Sequence, residues 1–291
     1  MRFRPANLGR NRSSHLLAQV SGSLRATQRA AVVAGVTAVV VISLVAAAVA
    51  AARPAAKIAA PRQHAATDSR RRPAEPARPA GVAVSKPRTS CTTVGHIGDS
   101  TSVGMVSSTW LPDPAQRLAA QYAHVGVRHL LVDASGGRSI VEEMPGQLNG
   151  HVVAQNWRAA GFRGCWVFAL GTNDTANVSV GSTVGRMARI EEMMAVAHGK
   201  PVMWVNTQTD LASGPWSESN MQLWNADLLQ ACRAYPNLRI FNWAGQVQPS
   251  WHLADGIHYT SAGYAIRAHA IARALASAFP AKGDSNGCVV N

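Results

Sequence analysis

Acidic residues are scarce where this 291-residue sequence begins, and none precedes Asp68. Residues 1–29 carry six arginines and no acid, and residues 53–88 carry nine Lys or Arg against Asp68 and Glu75 alone. From residue 89 onward the basic and acidic residues number thirteen each, so the formal net charge of +13 belongs to the first 88 positions. This distribution excludes a DNA-reading surface on the later part and points to contact with an anionic membrane or polymer. Residues 30–52, AAVVAGVTAVVVISLVAAAVAAA, lack charge of either sign. As a helix they would rise about 34 Å, enough to cross a hydrocarbon core of roughly 30 Å.

The apolar run exceeds the roughly 7–15 residues of a signal-peptide core, so a retained single-pass anchor is expected. Secretion after cleavage near Ala50-Ala51-Ala52 is the alternative. Basic residues flank both sides: Arg10, Arg12, Arg25 and Arg29 before the run, Arg53, Lys57 and Arg62 after it. Cysteine breaks the tie, because it is absent before residue 91 and then forms an even set: Cys91, Cys165, Cys232 and Cys288. Such a set suits a domain in an oxidising compartment. The expected order is a basic cytoplasmic tail (1–29), an anchor (30–52), a linker (53–88) and an extracytoplasmic domain (89–291). The linker reading rests on six prolines amid Ala and Arg, with too little apolar surface to offset ordering entropy.

No internal repeat is visible beyond residue 89; short apolar runs alternate with helical stretches. Strands are expected at Thr92–Ile97, Arg128–Asp133, Cys165–Leu170, Val202–Asn206 and Leu238–Asn242. Helices are expected near 114–124, 139–159, 181–198, 217–234 and 261–278. This alternation favours a parallel sheet covered on both faces, whose ligands bind beyond the carboxyl ends of the strands. Cys91 and Cys165 stand at strand starts and the other two cysteines follow or end helices. All four are therefore expected at the opposite edge, with Cys91 paired to Cys288 and Cys165 to Cys232.

Four short segments fall beyond strand ends or in the last loop on that side: Gly98-Asp99-Ser100, Gly136-Gly137 within Asp133–Ser139, Gly171-Thr172-Asn173-Asp174, and Asp255-Gly256-Ile257-His258. Their chemistry divides sensibly. A serine hydroxyl needs a base to become a nucleophile, and His258 is the candidate. Asp255, three residues earlier, can bond the other ring nitrogen and fix the tautomer. The Asn173 amide and the N–H groups of Gly136 and Ser100 can serve a tetrahedral oxyanion.

These blocks resemble the SGNH hydrolase superfamily, also called GDSL esterases, across about 90–280. Ser100 matches the block I serine, Gly136 the block II glycine, Asn173 the block III asparagine, and Asp255 with His258 the block V pair. The resemblance implies a flavodoxin-like three-layer α/β/α fold with five parallel strands in the order 2-1-3-4-5. It also implies hydrolysis or transfer of an ester-linked acyl group without a metal or organic cofactor. Two departures stand out. Thr101-Ser102 replace the leucine common after the serine, and the double glycine with Arg138 leaves Gly137 as an alternative donor. Both look similar to SGNH domains fused to, or working beside, membrane acyltransferases that modify cell-surface glycans.

Several neighbouring residues carry two readings. Arg138 can clamp a substrate carboxylate or phosphate, or pair with Glu142 one helical turn on. Trp216 and Trp251, in loops after the fourth and fifth strands, can stack on a sugar or line an acyl pocket, or can pack inward. Asp174 can orient Asn173, though capping or turn formation is the commoner reason for Asp there; His96 is expected to be packed in its strand, and His252 to stay outside the chemistry. Trp166, Trp204 and Trp243 are expected in the core. The expected activity is removal of O-acyl groups from an envelope glycan or glycolipid, with a membrane acyltransferase as a possible partner. The alternatives are transfer of the same acyl group to a sugar hydroxyl, lipid hydrolysis, and a non-catalytic envelope-binding module.

Overall fold

The computed structural model describes residues 87–285 and 287–291. The expected tail, anchor and nearly all of the linker lie outside the described residues. Among the described residues no helix is long and apolar enough to cross a membrane.

Six parallel strands form one sheet in the order β2-β1-β3-β4-β5-β6. They are β1 (Thr93–Gly98), β2 (His129–Ala134), β3 (Cys165–Ala169), β4 (Val202–Val205), β5 (Leu238–Phe241) and β6 (Val289–Val290). The sequence Cys-Trp-Val-Phe-Ala of β3 is buried at every position, as befits a central parallel strand covered on both faces. Helices α1 (Ser100–Val106), α2 (Leu118–His124) and α7 (Ser261–Ala278) cover one face. Helices α3 (Gly150–Ala159), α5 (Arg186–Ala197) and α6 (Glu218–Ala234) cover the other. A further helix, α4 (Thr172–Ser179), follows β3. This is the expected three-layer α/β/α arrangement, with a sixth short edge strand beside the five foreseen. Trp166, Trp204 and Trp243 are all core residues, as expected.

The register places the site. Gly98, the last residue of β1, pairs with Ala134 at the end of β2 and with Ala169 at the end of β3. Three chain segments therefore leave the sheet side by side, carrying Ser100, Gly136 and Asn173. A side chain at Gly98 would run into Ser102 Oγ, so glycine lets α1 start directly over the strand end.

The cysteines pair differently from expectation. The disulfides are Cys91–Cys165 and Cys232–Cys288, with Cα separations of 5.7 and 6.0 Å. Adjacency in the sheet explains both. β1 lies beside β3, with Val94 opposite Cys165, so the segment before β1 brings Cys91 to it. Cys288 directly precedes β6, which pairs with β5 and so lies by the end of α6, where Cys232 stands. The two ends of the domain are joined instead by backbone hydrogen bonds: Ser90 N–H donates to Phe279 O and Ala281 N–H to Arg88 O, each at 2.8 Å.

Two of the expected helices also change. Residues 139–149 form a loop interrupted by Pro145-Gly146, and only Gly150–Ala159 is helical. Residues 114–124 divide into a 3-10 turn, Pro114–Gln116, and the short α2.

Candidate active site

Ser100 opens α1, and Asp99 caps that helix by accepting from Thr101 N–H (2.8 Å) and Thr101 Oγ1 (2.7 Å). Asp99 is buried, which raises its carboxyl pKa against the Thr101 bonds, Arg267 and Thr172. Arg267 of α7 donates to Thr101 Oγ1 at 3.2 Å, and the α1 residue Gly104 lies against the ring of Tyr264. The first turn of α1 is therefore seated on the N-terminal half of α7, and His258 stands three residues before that helix begins.

Thr101 and Ser102, the unusual pair after the serine, both face inward to built partners. Thr101 links Asp99 to Arg267. Ser102 Oγ bonds His96 Nε2 at 3.2 Å, and His96 Nδ1 bonds Tyr122 O–H at 3.0 Å. Burial, with Arg267 nearby, lowers the His96 pKa to about 3, so the ring is neutral and structural. This matches its expected packed role.

His258 and Asp255 form the expected pair. His258 Nδ1 lies 2.7 Å from Asp255 Oδ2, while Asp255 Oδ1 accepts from the N–H groups of Ile257 and His258, each at 2.9 Å. Partial burial pulls the Asp255 pKa upward, but the bonds from His258 and Ile257 outweigh it and hold the carboxyl below its ordinary range. An ionised Asp255 accepts the Nδ1 proton, leaving Nε2 as the basic nitrogen. Among the described residues Nε2 and Ser100 Oγ have no hydrogen-bond partner, and the two side chains are not directly bonded. The loop is tied down by Leu253 N–H to His258 O (2.7 Å) and by Asp210 N–H to Gly256 O (2.7 Å).

Asn173, in the first turn of α4, points its amide at the block II turn. Its Nδ2 donates to Arg138 O at 2.9 Å, and its Oδ1 accepts from Trp216 Nε1 at 3.2 Å. Gly137 has φ of +68°, and a side chain there would also strike Met144 Sδ, so this turn needs glycine at its second position. A side chain at Gly136 would meet open space. The N–H groups of Ser100, Gly136 and Gly137 have no protein acceptor among the described residues.

The structure corrects the expected Arg138–Glu142 pair and the expected capping role of Asp174, and selects the inward-packed reading of Trp251. Arg138 does not pair with Glu142. It is buried, and bonds Asp133 through both carboxylate (2.7 Å) and carbonyl (2.9 Å), with further bonds to Leu148 O and Gly98 O. All three guanidinium nitrogens serve strand-end and loop groups. Trp251 packs inward, its ring stacked on Trp243 with centroids 5.8 Å apart. Asp174 caps nothing; it is buried, and accepts from Ile140 N–H at 2.7 Å and Arg189 at 3.0 Å. His252, bonded to Gln208 at 2.7 Å, stays outside the pair as expected.

Sequence reading missed Arg189 and Arg267. Both lie within helices, and only their burial marks them as unusual. Among the described residues no group of His, Cys, Asp and Glu is arranged to hold a metal ion.

A parallel α/β/α sheet with serine, histidine–aspartate and amide donors at its carboxyl edge defines a class of serine acyl hydrolases and transferases. The chain belongs to the GDSL-like lipase/acylhydrolase family, whose model matches residues 96–266. Among solved structures, it is similar to the lipase/acylhydrolase from Enterococcus faecalis at 18% identity, covering 66% of this chain and 99% of that one, with a TM-score of 0.50. It is also similar to a carbohydrate acetylesterase from Sinorhizobium meliloti, at 17% identity, 64% and 100% coverage and a TM-score of 0.47. The C-terminal catalytic domain of peptidoglycan O-acetyltransferase A from Streptococcus pneumoniae matches at 17% identity, 65% and 94% coverage and a TM-score of 0.46. At these identities the likeness is one of fold. No match was found among curated protein sequences.

Proposed function

We propose that this protein is an extracytoplasmic serine esterase that removes O-acyl groups from an envelope glycan or glycolipid through an acyl-Ser100 intermediate. The observation that carries the reading is the Asp255–His258 pair at 2.7 Å, on the loop leading into the helix that seats the Ser100 turn. His258 Nε2 takes the Ser100 proton as Oγ attacks the acyl carbonyl carbon. The oxyanion is met by the N–H of Ser100, the N–H of Gly136 or Gly137, and the second amide hydrogen of Asn173. The ester C–O bond then breaks, and His258 returns the proton to the departing sugar oxygen. Water deprotonated by His258 attacks the acyl-serine, releasing the acid and restoring Ser100.

His258 is 34% exposed and Asp255 47%, an open setting that suits an acyl group carried on a polymer. Two disulfides support an oxidising compartment. The apolar run at 30–52 supports membrane anchorage, and the placing of all four cysteines beyond it supports a cytoplasmic N-terminus.

The test is turnover of a small acyl ester and labelling by a fluorophosphonate. Ser100→Ala should abolish both, and full turnover by that variant would sink the mechanism. Product analysis with an acylated glycan and a free sugar acceptor shows whether water or a hydroxyl takes the acyl group; exclusive transfer would replace hydrolysis in this reading.

A further inference from the structure

We infer that Trp216 is a positioning residue for the oxyanion site, acting through its indole N–H on the Asn173 amide; this rests on Asn173 serving the oxyanion as proposed above. A primary amide has one acceptor oxygen and two donor hydrogens, and its orientation is set by what surrounds it. Around Asn173 the partners are chemically exclusive. Arg138 O can only accept, so it selects Nδ2, at 2.9 Å. Trp216 Nε1 can only donate, so it selects Oδ1, at 3.2 Å. With both contacts made, one Nδ2 hydrogen is spent on Arg138 and the other is fixed in direction. Without Trp216 the oxygen loses its anchor, and the amide can turn about its terminal torsion, which is broad for asparagine.

The backbone of Trp216 is itself held from behind. Trp216 O accepts from Thr209 Oγ1 at 2.6 Å, and Thr209 N–H donates to Glu218 Oε2 at 3.0 Å. The same loop meets the histidine loop where Asp210 N–H donates to Gly256 O, at 2.7 Å. One segment after β4 therefore touches both the amide donor and the loop of the base. Trp216 remains 38% exposed, so its contact with Asn173 is not a by-product of core packing.

A platform for a sugar ring would act in ground-state binding, whereas orientation of an oxyanion donor acts on the chemical step. The experiment is steady-state hydrolysis of 4-nitrophenyl acetate by the full chain and its Trp216→Phe, Asn173→Ala and doubly substituted variants, with thermal unfolding of each. Phenylalanine keeps an aromatic face, smaller than the indole, and removes the N–H. The expected result for Trp216→Phe is a kcat about tenfold lower, a fraction of the roughly 10²–10³ that a whole oxyanion donor supplies. KM and the unfolding midpoint should hardly move, and the double variant should be no slower than Asn173→Ala alone. Wild-type kcat in Trp216→Phe, a change in KM alone, or additive losses in the double variant would each overturn the proposal. Wild-type kcat in Asn173→Ala would instead remove the oxyanion reading on which it rests.

Discussion

Besides Arg138 at the strand ends, two arginines are buried on helices of this domain, one on each face of the sheet, and they are accommodated in opposite ways. Arg189 of α5 is fully enclosed and every guanidinium nitrogen is bonded. Nε donates to Val184 O, Nη1 to Asp174 and Glu142, and Nη2 to Glu142 and Ser182. Arg267 of α7 is 3% exposed and has a single hydrogen bond, to Thr101, while its Nε and Nη1 find no partner. Its charge lies instead over the rings of Trp243 and Tyr259, 4.8 and 5.3 Å from their centroids. Arg189 is thus neutralised and braces the block II loop to α4, where the Asn173 amide is held. Arg267 has no carboxylate bonded to it among the described residues and braces the Ser100 turn, packed on the residue that follows His258. The first is a knot of charge and the second is a packed cation. Removing each should have different consequences.

The largest effect is expected from Arg189→Met. It would strand Asp174, fully buried, and Glu142, one-third exposed, and breaking one side of a buried ion pair costs about 3–5 kcal/mol. Urea unfolding at neutral pH measures this; a loss under about 1 kcal/mol would show that the knot is not what holds the loop.

Next is the pH response of that knot. Burial raises the Asp174 pKa to about 7 against the Ile140 N–H and Arg189, whereas Glu142 is pulled to about 2, burial being outweighed by its bonds from Arg189, Ser139 and Ser182 together with the Arg189 charge. A carboxyl with a raised folded pKa binds more protons folded than unfolded. Its contribution is therefore present at low pH and is lost as pH rises from about 4 to about 7. Glu142 acts in the other sense, its contribution lost only as pH falls from about 4.5 toward 2. Asp174→Asn should flatten the dependence of unfolding free energy between pH 4.5 and 7.5; an unchanged slope would assign the titration elsewhere.

The smallest stability effect is expected at the other arginine. No carboxylate hydrogen-bonds Arg267, so Arg267→Met should change stability by only about 1 kcal/mol, because an apolar side chain of similar volume replaces a costly buried charge. Its effect should appear in kcat on a small ester, reduced up to about tenfold, or roughly 1.4 kcal/mol, as the Thr101–Asp99 cap loosens. Thr101→Val, which removes the hydroxyl joining Asp99 to Arg267 and leaves the charge in place, should reproduce part of the kcat loss. A stability loss larger than that of Arg189→Met would reverse the contrast between the two faces.

Much of this architecture was legible because it is local. Strand cores such as Cys165–Ala169 are short apolar runs, and Asp255 and His258 need only one turn between them to meet. What escaped has physical reasons. Helices α1 and α4 are seven and eight residues long and carry polar sequences, Ser-Thr-Ser-Val-Gly-Met-Val and Thr-Asn-Asp-Thr-Ala-Asn-Val-Ser, without an apolar period. The loop at 139–149 has enough spaced apolar residues to imitate a helix, and Pro145-Gly146 ends it. Strand β6 is two residues long, too short to read, and without it Cys288 had no visible reason to lie by Cys232. Arg138 was read against Glu142 because i,i+4 spacing presumes a helix that is not there.

The sequence by itself determined the order of the five longer strands, the parallel sheet and the five candidate residues Ser100, Gly136, Asn173, Asp255 and His258, since each is marked by type and by its place after a strand or before the last helix. It also determined where the charge lies. Tertiary structure alone decided which cysteines bond, which arginine is neutralised and what orients the Asn173 amide. Those outcomes depend on contacts between residues 15 to 74 positions apart, and only the order in which strands lie side by side brings such residues within reach.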